Sequence, residues 1–111
     1  MKEVIYLASP YSNPDAAIRE ENFKKISSVA AKMAASGIVV ISPITYGHTL
    51  TLFHDMPGDW EFWSTFCSSL LIKCDKLIVC KMEGWDKSRG ISEEISIAND
   101  HGIPVEYIDH L

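Results

Sequence analysis

Four short apolar runs, Val4–Ala8 and residues 38–41, 77–80 and 105–108, are separated by stretches whose apolar residues recur at helical spacing. Nearly unbroken apolar strands, without the alternation of a half-solvated sheet, belong to a parallel sheet covered on both faces. Parallel neighbours need long crossover connections, and the helical stretches supply them with right-handed hand. The expected fold is therefore α/β, a doubly wound parallel sheet of four or five strands with flanking helices. A chain of 111 residues, 47% of them hydrophobic, has room for one such core and not two. Residues 1–111 are read as one domain.

Punctuation residues place the elements of this flavodoxin- or Rossmann-like arrangement. After the break Ser9-Pro10-Tyr11-Ser12, Asn13 suits a helix N-cap, Pro14 the first helical position and Gly37 the left-handed position beyond the end. Between them Ile18, Asn22, Ile26, Val29 and Met33 form one stripe. Ser42-Pro43 ends the second strand. Residues 44–58 carry Gly, Pro, His and Thr with neither period, so they are expected to be a lid or specificity loop. From Asp59 a second helix places Trp60, Trp63, Cys67, Leu70, Leu71 and Cys74 on a core stripe. The last helix opens near Gly90 and ends at Gly102-Ile103-Pro104. Asp75, at the amino end of its strand, is assigned to structural hydrogen bonding in a turn or at a helix end.

Charge and cysteine usage narrow the function classes. A net charge of -5, with no basic cluster beyond Lys24-Lys25, gives no grip for a nucleic acid polymer, though a single nucleotide fits. No signal-peptide pattern and no long apolar stretch is present, so a cytoplasmic protein without a membrane partner is expected. Cys67, Cys74 and Cys80 are odd in number and lack a CxxC spacing, and they read as buried free thiols. His48, His54 and Asp55 have no metal-ligand spacing. Neither a metal nor a cofactor is expected.

The segment Ser88 to Ala98 carries the chemistry. It follows the strand-like run Lys76–Lys81, so its first turn sits above a strand's carboxyl end, where open α/β sheets bind ligands. Ile91, Ile95 and Ala98 mark the face packed on the sheet. Glu94 lies about 60° from that stripe and Glu93 roughly opposite it. Glu93 should be solvated, and Glu94 should lean back toward the strand ends, kept ionised by the helix dipole. A carboxylate so placed is a candidate nucleophile or cation stabiliser, and the plainer alternative is a first-turn glutamate that only complements the dipole. Ser88 as cap and Gly90, permitting close backbone approach, suit either a phosphate at the helix start or ordinary capping. His48, with Thr45, Tyr46 and His54, is a candidate for reaching a base, against the alternative of a solvated loop histidine. Trp60 and Trp85 are candidates for stacking on one.

The turn Tyr6-Leu7-Ala8-Ser9-Pro10-Tyr11, the Trp-rich helix entering Cys74-Asp75, and Gly84-Trp85 leading to Ser88-x-Gly90-x-x-x-Glu94-x-x-x-Ala98 together resemble the nucleoside 2-deoxyribosyltransferase superfamily. The chain is most similar to its small bacterial and phage members and to the deoxynucleoside-monophosphate N-hydrolases. The resemblance implies cleavage of an N-glycosidic bond, with Glu94 as nucleophile and Tyr6 orienting it. It implies substrate contacts from Ala8, Ser9, Ser12, His48, Trp85, Ser88, Arg89 and Gly90, and a homodimer or higher homo-oligomer whose partner closes each pocket.

Two positions depart from the family's pattern. Ser88 matches the hydrolases' phosphate-contacting serine, which favours a nucleotide, but Ser12 stands where they carry an arginine, leaving the phosphate to Arg89, Lys87 or Arg19. Cys67 stands where relatives carry an aspartate, and a protonated thiol cannot copy it. A nucleophilic Cys67 is the sharper alternative, set against by its place on the apolar stripe. The rival readings are a non-catalytic nucleotide-binding module and a hydrolase of a larger N-glycoside such as NAD.

Overall fold

The computed structural model describes residues 2–110 and has the alternating architecture that the apolar runs imply. Strand β1 (Val4–Ala8) is followed by α1 (Ala16–Ala35), β2 (Val39–Ile41), α2 (Pro43–Thr51), α3 (Trp60–Leu71), β3 (Lys76–Lys81), a 3-10 turn (Trp85–Lys87), α4 (Arg89–Asp100) and β4 (Val105–Asp109). All three strand pairings are parallel, and the sheet order is β2-β1-β3-β4. This is a Rossmann- or flavodoxin-like α/β fold. Its direction reverses between β1 and β3, because the chain leaves β1 toward β2 and then crosses back.

Alternation along β1 divides the core between the two faces. Tyr6 and Ala8 point to one side, where Leu77, Val79, Cys67, Leu71, Ile91 and Ala98 join them from β3, α3 and α4. Ile5 and Leu7 point to the other, packing with Ile78, Cys80 and Ile26 and with the half-buried Val29 and Met33 of α1. Asp75 fixes the register at the amino edge. Its carboxylate accepts from Val4 N at 2.8 Å while its own N–H donates to Val4 O at 2.8 Å. The role is structural, in aligning two strands rather than in closing a turn or helix end.

Two local expectations are corrected. Helix α1 is capped by Asp15, whose side chain accepts from Ala17 N at 2.9 Å, while Asn13 accepts from Asp15 N and forms a turn ahead of it. Pro14 therefore precedes the cap instead of opening the helix. Of the stripe read for α1, Ile26 is fully buried, whereas Ile18 is exposed and lines the open cleft at the carboxyl edge of the sheet.

The second correction concerns residues 44–58. Most of their first half is the helix α2, capped by Ser42, which accepts from Thr45 N at 3.2 Å, with Pro43 at its start. Ser42-Pro43 thus ends a strand and opens a helix. Only the segment after Thr51 is irregular, and it is pinned by Trp63 Nε1 donating to Pro57 O at 2.8 Å. Among the described residues, no helix is long and apolar enough to cross a membrane.

Candidate active site

At the carboxyl edge of the sheet, where β1 and β3 diverge, the strand ends and helix starts enclose a cleft of about 1330 Å³. Ligands of doubly wound folds bind at such switch points. One wall comes from the turn after β1, the start of α1 and the inner face of α2. The other comes from α3, the residues after β3 and the first turns of α4.

Glu94 lines this cleft and is only 6% exposed. The Tyr6 hydroxyl, on β1 beneath it, donates to Glu94 Oε2. Burial pushes the Glu94 carboxyl up from 4.5 to about 7, and the Tyr6 hydrogen bond pulls it only partly back. Desolvation thus outweighs the helix dipole, and the group is not held ionised as the sequence suggested; it titrates near neutrality. Burial, then the neighbouring Glu94 charge, raises the Tyr6 phenol far above its usual range, so Tyr6 remains the donor. Glu93 turns away from the cleft but is half-buried rather than solvated, its Oε2 shielded from solvent and 3.8 Å from Arg89 Nε.

Cys67 of α3 adjoins the same pair and lines the cleft. Burial pushes its thiol up to about 11, so at neutral pH it is neither a nucleophile nor a general base. Cys74 and Cys80 are likewise free and buried.

Ala8, Ser9, Ser12, His48, Ser88, Arg89 and Gly90 all line the cleft with Glu94. Ser9 is 5% exposed, and among the described residues its Oγ has no hydrogen-bond partner. An unpaired buried hydroxyl carries a desolvation cost that a bound polar group would relieve. Ser88 caps α4, accepting from Ile91 N at 3.2 Å, and the residues of the first turn, Arg89, Gly90 and Ile91, line the cleft. Gly90 permits a close approach, and what approaches is the Trp60 ring, 3.4 Å from where a Cβ would stand.

Three site expectations are corrected. Trp85 lies outside the cleft lining and packs on Tyr107, with ring centroids 5.6 Å apart; Trp60 and Trp63 line the cleft instead. The Arg89 guanidinium is engaged by Glu61 at 2.6 Å, so it is not a free phosphate ligand. His48 is neither on a loop nor solvated. It sits on α2, 9% exposed, stacked on Phe23 with centroids 4.1 Å apart. Its Nδ1 is 2.8 Å from Tyr11 Oη, and its Nε2 is 3.6 Å from Glu20 Oε2.

Tyr11 and Glu20 line the cleft in places the sequence did not single out, and helix α2 was passed over. The signal was present but weak: Ile44, Gly47, His48 and Thr51 follow the i, i+3, i+4, i+7 spacing of a helix, and all four line the cleft. Over residues 3–110 the chain matches the family described as a domain of unknown function (DUF1937), and it belongs to that family. No curated protein matches it.

Proposed function

We propose that this protein cleaves the N-glycosidic bond of a (deoxy)nucleoside 5′-monophosphate, as a hydrolase or base-exchange transferase, with Glu94 as the nucleophile. The observation that carries the reading is Glu94 itself, a buried carboxyl in the switch-point cleft, hydrogen-bonded by Tyr6. A sugar carbon losing its base becomes oxocarbenium-like, and an adjacent carboxylate stabilises it or forms an ester with it. Tyr6 fixes one carboxylate oxygen, which leaves the other free to attack.

The resemblance to nucleoside 2-deoxyribosyltransferases supports this assignment, and other residues support a phosphorylated substrate. The start of α4 offers N–H groups to a phosphate, with Lys87 on the same rim and the unpaired Ser9 hydroxyl nearby. Arg19 also lines the cleft, and although its Nη1 donates to Asn13 O, that neutral carbonyl leaves its charge for a phosphate in place of the arginine missing at Ser12. Trp60 and Trp63 offer ring faces to a base. A homodimer is part of the proposal, and the exposed Leu52 and the 82%-exposed Phe53, close to the cleft mouth, support it.

A second reading has one observation in its favour. The cleft volume of about 1330 Å³ exceeds what a mononucleotide fills, so a larger N-glycoside such as NAD belongs in the same test.

That test is a base-release screen over the deoxynucleoside and nucleoside monophosphates and NAD, using wild type, Glu94→Gln and Glu93→Gln. Release by wild type and Glu93→Gln but not Glu94→Gln is the expected result. Binding without release of any base would instead identify a nucleotide-binding module.

A further inference from the structure

The assembly Tyr11–His48–Glu20 is a second group of titratable side chains in the cleft, on the wall opposite Glu94. It is built from three elements. Tyr11 comes from the turn after β1, Glu20 from α1 and His48 from α2, and all three line the cleft. The imidazole is held on every side: Phe23 stacks on its face, Tyr11 meets its edge, and Glu20 lies 3.6 Å from Nε2. Asn22 holds the turn, donating to Tyr11 O at 3.4 Å.

The direction of the Tyr11–His48 hydrogen bond has a chemical consequence. When both imidazole nitrogens carry protons, Nδ1 donates to Tyr11 Oη and the carboxylate of Glu20 balances the charge at Nε2. The phenolic hydrogen is then unused within the protein. Tyr11 is only half-buried, and burial raises its pKa against the opposing influence of the Arg19 guanidinium, so it holds that hydrogen until something in the cleft accepts it.

Resting on the proposed glycosidase reading, we propose that Tyr11 is a second catalytic residue, which protonates the departing base, and that His48 positions and reprotonates it. In this step Glu94 Oε bonds to C1′ and the C1′–N bond breaks, its electron pair going to the base nitrogen. The Tyr11 proton passes to that nitrogen, and the proton on His48 Nδ1 passes to Tyr11 Oη. His48 ends neutral, Tyr11 is restored, and the base leaves uncharged. Charge is conserved, because one carboxylate has become an ester while one imidazolium has lost its proton. Water that later opens the ester returns a proton to His48. Protonation of a leaving group by a positioned acid contributes on the order of 100-fold to 10,000-fold in rate.

A comparison of leaving groups tests this. Each protein is given a deoxynucleoside 5′-monophosphate, whose base needs the proton, and the 4-nitrophenyl glycoside of the same sugar phosphate, whose phenolate does not. Tyr11→Phe and His48→Gln are expected to lose roughly 100-fold or more on the nucleotide and to stay within about threefold of wild type on the nitrophenyl substrate. Rates are compared only after circular dichroism and thermal melting show both variants folded, and Tyr11→Phe keeps the ring in place.

Equal losses on both substrates, or no loss on either, would overturn the proton-donor role. Glu94→Gln, run beside them, is expected to lose both activities. Should it keep both, the nucleophile assignment falls while the leaving-group contrast still judges Tyr11. Should wild type release neither leaving group, both assignments fall together.

Discussion

Replacing Glu94 with glutamine should stabilise the protein, by an amount that depends on pH. Glu94 is 6% exposed, and its carboxyl is raised from 4.5 to about 7 by burial. The folded state therefore keeps this proton up to about pH 7, whereas the unfolded chain sheds it near 4.5. Between these values the unfolded state binds fewer protons, so the wild type loses stability as pH rises and remains at the lower level above pH 7. The interval corresponds to roughly 3 kcal/mol. Glutamine has no proton to lose and its amide oxygen can still accept from Tyr6, so the variant lacks this loss. Every other titrating group is common to the two proteins and cancels in the difference. Thermal and urea unfolding, followed by circular dichroism at pH 4 and pH 8, should give nearly equal stabilities at pH 4. At pH 8 the variant should melt higher by about 10 °C or more, given the usual 4–8 °C per kcal/mol for a domain near this size. A stability difference that is the same at both pH values would refute the argument, because Glu94 would then not be desolvated in the folded protein.

Three further outcomes follow from the same geometry. Tyr6→Phe removes the donor to a buried carboxyl and should cost about 1–3 kcal/mol at pH 8, measured by urea unfolding. Cys67, Cys74 and Cys80 are buried, with burial raising each thiol, so a disulfide reagent at pH 8 should label less than one equivalent rapidly in the native protein and all three in urea. Gly90→Ala leaves an ordinary contact with Trp60 at 3.4 Å and does not require a positive φ, so melting should show a gain of up to about 1 kcal/mol from helix propensity.

The parallel sheet was legible because its strands are buried on both faces, which forces unbroken apolar runs, and because Gly37, Ser88 and Asp59 are local signals that hold in the structure. Glu94 was legible for a related reason: a single helical face, anchored by Ile91 and Ala98, fixes which of two adjacent glutamates turns inward. Its protonation was not, since desolvation depends on Tyr6, Cys67 and the cleft walls, which lie far away in sequence. Helix α2 was hidden because the face it turns to the cleft is made of Ile44, Gly47, His48 and Thr51, a stripe with little apolar contrast. The Trp85 assignment failed on packing that crosses elements, as the ring is taken up by Tyr107 of β4. Likewise Arg89 was claimed by Glu61, a partner on another helix.

The central claim is that the Glu94 carboxylate attacks the anomeric carbon of a nucleotide. Its most direct test is to quench the protein with acid during turnover of a deoxynucleoside monophosphate and map the chain by mass spectrometry. A sugar-phosphate ester is expected on Glu94 in the wild type and none in Glu94→Gln. An ester on another residue, or undiminished base release by Glu94→Gln, would contradict it.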